Sequence, residues 1–263
     1  MRIQAGDIQI NYELAGDGPA VVLTHGLGSD VSGWQAASDA LRDRYRVLRW
    51  DVRGFGLSDR PPGPMSPSVW AADLAALLDA LEIDQAVIGG ISMGGVVAQR
   101  FALDFPAKTR ALVLVSTSSE VGEAARSGWE ARASLVEEKG MAALLDQTGP
   151  AIAYSESYRS ANADAIRRST EEAVARNDPH CYAAAARGVS DYNYTPELRS
   201  IDCPTLILQG LEDGLTPPGG SVIMSRHIPD ARLEMIERCG HGIPAEQPQE
   251  MMRLLEDFLA GLP

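Results

Sequence analysis

A serine set between glycines in the middle of an apolar run constrains this chain more than any other feature. In AVIGGISMGGVVAQRF, residues 86 to 101, a stretch of strand character runs into an amphipathic stretch that Pro106 ends, and the join reads Gly90-Ile91-Ser92-Met93-Gly94. A serine on a sharp strand-to-helix turn is driven towards strained dihedrals, and the residues two positions to either side crowd its backbone. Only a hydrogen side chain fits there, which accounts for Gly90 and Gly94. Such a turn presents the Ser92 hydroxyl above the strand ends, with a helix N-terminus behind it that favours developing negative charge. The glycines lack GxGxxG spacing and no acidic residue stands where a dinucleotide site needs one, so the pattern implies a nucleophile.

The rest of the chain supplies a frame for that turn. Two alternating stretches around Gly6 and Asp7 suggest an antiparallel hairpin. Six short apolar runs without alternation follow: AVVLTHG, YRVLRWD, AVIGG, ALVLVST, TLILQG and RLEMIE. Strands apolar on both faces are what a parallel sheet covered by helices requires. Helical periodicity lies between them, as in SVWAADLAALLDALEI, where Ser68 is the expected N-cap, and recurs near the C-terminus in MMRLLEDFLAG, which ends at Gly261. The expectation is an α/β fold with a mostly parallel eight-stranded sheet. From Glu120 to Pro196 no strand candidate occurs, only helical pieces broken at Gly140, Gly149-Pro150, Asn177-Asp178-Pro179 and Thr195-Pro196. Residues 120–196 are therefore expected to form a helical cap inserted into a core made of residues 1–119 and 197–263.

Length and charge narrow the partners. With 263 residues, 45% of them hydrophobic, the chain can bury one large core, and 23 basic against 36 acidic residues leave a net charge of −13. Nucleic acid and anionic membranes would be repelled. The first residues alternate like a strand and do not read as a signal peptide, and no apolar run reaches membrane-spanning length. Cys181, Cys203 and Cys239 have no CxxC spacing and are expected to be free thiols of a cytoplasmic protein. Neither a metal nor a cofactor is expected.

An alcohol at neutral pH is a weak nucleophile, so Ser92 needs a base and a carboxylate to orient it. His241, in RCGHGIPAEQP, sits in a glycine-flanked loop after the last strand, where its ring could swing over the sheet edge. Asp213, in LQGLEDGLTPP, follows the strand before it, with Glu212 as its nearest rival. His227 reads as a helix-end residue, His180 as structural or pocket-lining, and Glu246 as a helix-entry carboxylate before Pro248. A tetrahedral oxyanion needs donors, expected from the N–H of Met93 and from Leu27 in the loop HGLGSD, with His25 shaping that loop.

Taken in order, HGLGSD, VLRWDVRGFGLSD, GGISMGGVVAQ, LILQGLEDGLTPP and CGHGIPAEQP resemble the α/β-hydrolase superfamily over essentially the whole chain, and within it the cofactor-free enzymes similar to 3-oxoadipate enol-lactonases and carboxylesterases. The order Ser92, Asp213, His241 is that of the superfamily's triad. The resemblance implies that Asp51 and Arg53 brace loops near the site. It also implies that the substrate is a small ester or lactone, and a homodimer is compatible with it. An enol-lactone substrate carries a carboxylate and calls for a cation, yet the seven cap arginines, from Arg126 to Arg187, offer no obvious choice. Trp34, Trp129, Tyr154, Tyr158 and Tyr182 are the aromatic residues expected to line the pocket. Carbon–carbon bond hydrolysis or perhydrolysis on the same triad is the alternative, and a binding protein without turnover a third reading.

Overall fold

The structure, a computed structural model, describes residues 1–63, 65–145 and 152–263. The Gly149-Pro150 break expected in the helical segment lies outside the described residues. Strands β1 (Arg2–Ala5) and β2 (Ile8–Ala15) form the antiparallel hairpin, and β2 also runs antiparallel to β4 (Arg46–Trp50). All other pairings are parallel, among β3 (Ala20–Thr24), β4, β5 (Ala86–Ile91), β6 (Thr109–Val115), β7 (Thr205–Gly210) and β8 (Ala231–Ile236). The eight strands form one sheet in the order β1-β2-β4-β3-β5-β6-β7-β8.

Lack of alternation in the apolar runs has a direct cause. Val22, Leu48, Ile88, Leu112 and Ile207 face one core, which the helices Pro67–Ala80 and Met93–Asp104 close with Leu74, Leu77 and Phe101. Their neighbours Val21, Val47, Val87, Val113 and Leu206 face a second core, closed by Leu41 of the helix Gln35–Leu41 and Leu255 of the helix Pro248–Ala260. Successive side chains of a strand point to opposite faces, so both must be apolar when both are covered.

Helix boundaries depart from the expected ones in one place. The helix Pro67–Ala80 is capped by Ser66, whose hydroxyl accepts from the Val69 N–H at 3.3 Å, and not by Ser68. Pro67 decides this, because a proline ring is accommodated at the first helical position, where its missing N–H has no helical partner to lose. Between β6 and β7 the chain forms the helices Glu123–Lys139, Glu156–Arg176 and Pro179–Gly188, and a bridge between Glu120 and Asn193 joins the ends of this excursion. The second and third of these helices are separated at Asn177-Asp178-Pro179, where the Asp178 carboxylate caps the Cys181 N–H at 2.9 Å.

The sheet order brings the loops of the site together. The chain leaves β3 for β4 on one side and later adds β5 on the other, so the crevice at the carboxyl ends of β3 and β5 is a topological switch point. Thr24 of β3 pairs with Gly90 of β5, and Gly210 of β7 with Ile236 of β8, so the loops that follow leave the sheet side by side. Ser92 adopts φ 54° and ψ −118°, the strained turn expected between strand and helix. A Cβ on Gly90 would overlap the Gly94 backbone, and one on Gly94 would overlap the Thr24 carbonyl. Gly94→Ala is therefore expected to destabilise the protein by about 1–3 kcal/mol through overpacking. Gly122→Ala, where an added Cβ meets nothing within 4 Å, should be close to neutral. Urea midpoints of the two variants against the parent check this.

Candidate active site

Ser92 closes β5 with its backbone held on three sides. Its N–H donates to the Val115 carbonyl at 2.9 Å, while its carbonyl accepts from the Gly95 N–H at 2.9 Å and the Thr117 hydroxyl at 3.0 Å. Among the described residues the Ser92 hydroxyl has no hydrogen-bond partner of its own. The residue lines a cavity of about 410 Å³ that the His241 ring also lines.

His241 Nδ1 lies 2.9 Å from Asp213 Oδ2. The same oxygen accepts from the Thr216 hydroxyl at 2.7 Å and the Gln209 amide at 3.3 Å, while Oδ1 accepts from the N–H groups of Leu215 and Thr216, each at 2.9 Å. Burial would push the Asp213 carboxyl up, but the His241 bond and charge and the Thr216 donors together hold it below its ordinary value. An ionised carboxylate only accepts, so the imidazole proton sits on Nδ1 and Nε2 is left with a free lone pair. Glu212, the rival acid, is exposed and accepts instead from the Glu156 N–H at 3.1 Å.

The loop after β3 passes beside Ser92, so close that a Cβ on Gly26 would stand 3.5 Å from the Ser92 Cβ. His25 is buried and fixes the orientation of this loop. The Val52 N–H can only donate, and it lies 3.0 Å from His25 Nε2, so Nδ1 carries the proton and donates to the Gly26 carbonyl at 2.8 Å. Ser29 N–H donates to the same carbonyl at 3.1 Å. Because a trans peptide is planar, anchoring the Gly26 carbonyl directs the Leu27 N–H the opposite way. Among the described residues, neither the Leu27 nor the Met93 N–H donates a hydrogen bond. Asp51 holds this loop from below, accepting from the Val31 N–H and the Asn11 amide, both at 2.7 Å.

Helices of the 120–196 segment wall the cavity from above. Trp34, Trp129, Tyr154 and Tyr182 line it as the sequence suggests. Tyr158 does not; it lies in the first turn of the helix Glu156–Arg176 and stacks against Tyr154, with ring centroids 5.5 Å apart. His180 is exposed and lines neither this cavity nor its neighbour. A second cavity of about 260 Å³ shares Leu27, Ser92, Trp129 and Leu215 with the first and takes Met93 and Val96 as its own lining.

Sequence reasoning did not choose among the cap arginines, and the structure separates them. Arg187 is paired with Glu130 and Glu137, and Arg126 with Asp191. Arg176 lines the cavity but is paired with Asp30 at 2.6 Å. Arg132 lines the cavity, donates to the Tyr182 hydroxyl at 2.7 Å, and has no carboxylate partner among the described residues. No spacing rule could have singled it out, since its lack of an acidic neighbour is a property of the fold. Among the described residues no cluster of metal-ligating side chains occurs, and no helix is long and apolar enough to cross a membrane.

With this geometry in hand, comparison with known proteins defines the class. The sequence profile of the alpha/beta hydrolase fold matches residues 19–248, and the chain belongs to that family. It is 31% identical to 3-oxoadipate enol-lactonase 2 of Acinetobacter baylyi over 97% of this chain and 94% of that one. It is 33% identical to 2-hydroxy-6-oxo-2,4-heptadienoate hydrolase of Pseudomonas putida, over 98% and 95% respectively. Among solved structures it resembles a malate-bound thermophilic esterase from Thermogutta terrifontis, with a TM-score of 0.91, 30% identity and coverage of 100% and 98%. Family, fold and relatives together identify a hydrolase.

His25 makes stability depend on pH. Burial lowers its pKa from 6.5, against the opposing Gly26 hydrogen bond. Below 6.5 the unfolded chain binds a proton that the folded chain refuses, so stability is complete above 6.5 and falls as pH drops below it. The slope from this one group approaches about 1.4 kcal/mol per pH unit. Urea midpoints measured on either side of that pH should fall less steeply in His25→Asn than in the parent.

Proposed function

We propose that this protein hydrolyses a carboxylic ester or lactone through an acyl-enzyme on Ser92, and that the substrate carries a carboxylate. The observation that carries the reading is the Asp213-bound imidazole of His241 lining one cavity with Ser92, beside two N–H groups that have no partner among the described residues. In this reading Ser92 Oγ bonds to the acyl carbon as its proton passes to His241 Nε2, a contact that tightens with substrate in place. The carbonyl oxygen becomes an oxyanion held by the N–H groups of Leu27 and Met93. Collapse breaks the bond to the leaving oxygen, which takes the proton from His241. A water then gives its proton to the same nitrogen and its oxygen to the acyl carbon, and Ser92 leaves with that proton. Asp213 stays ionised throughout and keeps the imidazole in one tautomer.

His241 lines only the larger cavity, so the leaving group is assigned to that side and the acyl group to the smaller one. Residues 120–196 act as the cap over a core of residues 1–119 and 197–263. Arg132 supplies the cation that a carboxylate needs, and the similar enzymes named for oxoadipate and heptadienoate, like the esterase with malate bound, all point to carboxylates. The second reading is carbon–carbon bond hydrolysis, favoured by the relative at 33% identity and tested by offering a ring-fission product beside esters and lactones.

Ser92→Ala should abolish turnover of a short-acyl p-nitrophenyl ester with the circular dichroism spectrum intact, and only the parent should gain the mass of a fluorophosphonate probe. Arg132→Ala should raise KM for a carboxylate-bearing ester by about tenfold or more, the loss of one charged hydrogen bond, and change KM for a neutral ester little. Equal effects on both esters would remove Arg132 from substrate recognition.

A further inference from the structure

The residue that sequence reasoning left as a helix-entry carboxylate has a different place in the fold. Glu246 ends the short helix Ile243–Glu246, and its carboxylate faces backwards, away from the helix Pro248–Ala260. Both of its oxygens accept from the Gly240 N–H at 3.0 Å, and Oε1 also accepts from the Gly242 N–H at 3.1 Å. These two amides flank His241. Oε2 reaches across to the Ser155 N–H at 2.9 Å, in the segment between β6 and β7. One carboxylate therefore takes N–H groups from two stretches of chain that are remote in sequence.

That crossing is part of a longer seam. The His241 N–H donates to the Ala153 carbonyl, the Gly214 N–H to the Ile152 carbonyl at 2.9 Å, and the Glu156 N–H to Glu212 at 3.1 Å. Residues 152–156 are thus bonded to the loop of His241 and to the loop of Asp213 together. The approach is close: a Cβ on Gly240 would stand 2.6 Å from the Ala153 carbonyl oxygen, and one on Gly242 would stand 2.6 Å from the Tyr154 ring. The glycines around His241, expected to let the loop swing, instead admit the backbone and ring of this segment against it.

We propose that Glu246 is a positioning residue that locks the His241 loop to residues 152–156, so that the imidazole is held for reaction by the seated cap and not by its own loop alone. The inference rests on the reading of His241 as the general base. A carboxylate is needed because three N–H donors converge on it; a glutamine would turn its own NH₂ group against at least one of them. Glu246 does not itself line either cavity, so it acts through the His241 loop and through residues 152–156, of which Ala153 and Tyr154 wall the larger cavity.

The test uses the full chain with Glu246→Gln and Glu246→Ala. Steady-state hydrolysis of p-nitrophenyl acetate, too small to depend on the 152–156 wall for much of its binding, should show kcat reduced by about tenfold or more and KM changed by a smaller factor, as expected when the main effect is misplacement of a reacting group. Hydrogen exchange read by mass spectrometry should rise in peptides covering 152–156 as well as in those covering 239–247. An unchanged kcat, or faster exchange confined to 239–247, would overturn the proposal. Should Glu246→Ala fail to fold, the isosteric glutamine variant decides. Turnover that survives in Ser92→Ala would refute the serine-hydrolase reading instead, and the paired rise in exchange would still decide whether Glu246 joins the two segments.

Discussion

The parallel pairing of β3 with β5 is the constraint on which the site depends. Parallel strands in register end at the same edge, so the loop carrying Leu27 and the turn carrying Ser92 emerge as neighbours, Thr24 beside Gly90. The same holds farther along the sheet, beyond β6, where Gly210 and Ile236 are partners and the loops of Asp213 and His241 follow. Residues far apart in the chain meet because hydrogen-bonded strands hold their ends about 5 Å apart. Covering both faces of the sheet with apolar helices makes this register costly to shift, since a slip by one residue exchanges the side chains of the two cores.

Above that rigid edge, backbone N–H groups and carboxylates divide the work. Asp213 collects five donors, Asp51 fixes the far end of the loop after β3 at Val31, and Glu246 spans from the His241 loop to residues 152–156. Loops cannot satisfy their own amides as helices do, and an ionised oxygen partly shielded from water is a strong acceptor for them. His25 does the equivalent with a neutral ring, accepting on one nitrogen and donating on the other. An acidic chain with so few histidines thus uses several of its carboxylates as structural acceptors near the strand ends.

Much of this was legible in advance, for identifiable reasons. Covered parallel strands leave unbroken apolar runs, and a tight elbow leaves glycines at fixed offsets, so Ser92 and the sheet could be read directly. Asp213 and His241 were reachable because few other acids or histidines follow strands. Ser66 was missed in favour of Ser68 because the periodic pattern starts later than the helix does. Tyr158 and His180 were misjudged since composition says nothing about which way a helix faces. Glu246 was taken for a helix-entry acid because its proximity in sequence to Pro248 hid its partners Gly240, Gly242 and Ser155.

By itself, the sequence determined the layers, the strand ends and the types of residue available for nucleophilic chemistry, because burial and turn geometry impose local patterns that repeat or recur at short offsets. Only the tertiary structure decided that Arg132 lacks a carboxylate partner among the described residues while Arg187 has two, that His25 carries its proton on Nδ1, and that residues 153 and 154, between β6 and β7, lie against the glycines around His241. Those facts concern which charges and backbones come within a few ångströms of one another, and distance in space is set by packing of remote segments, which no local pattern records.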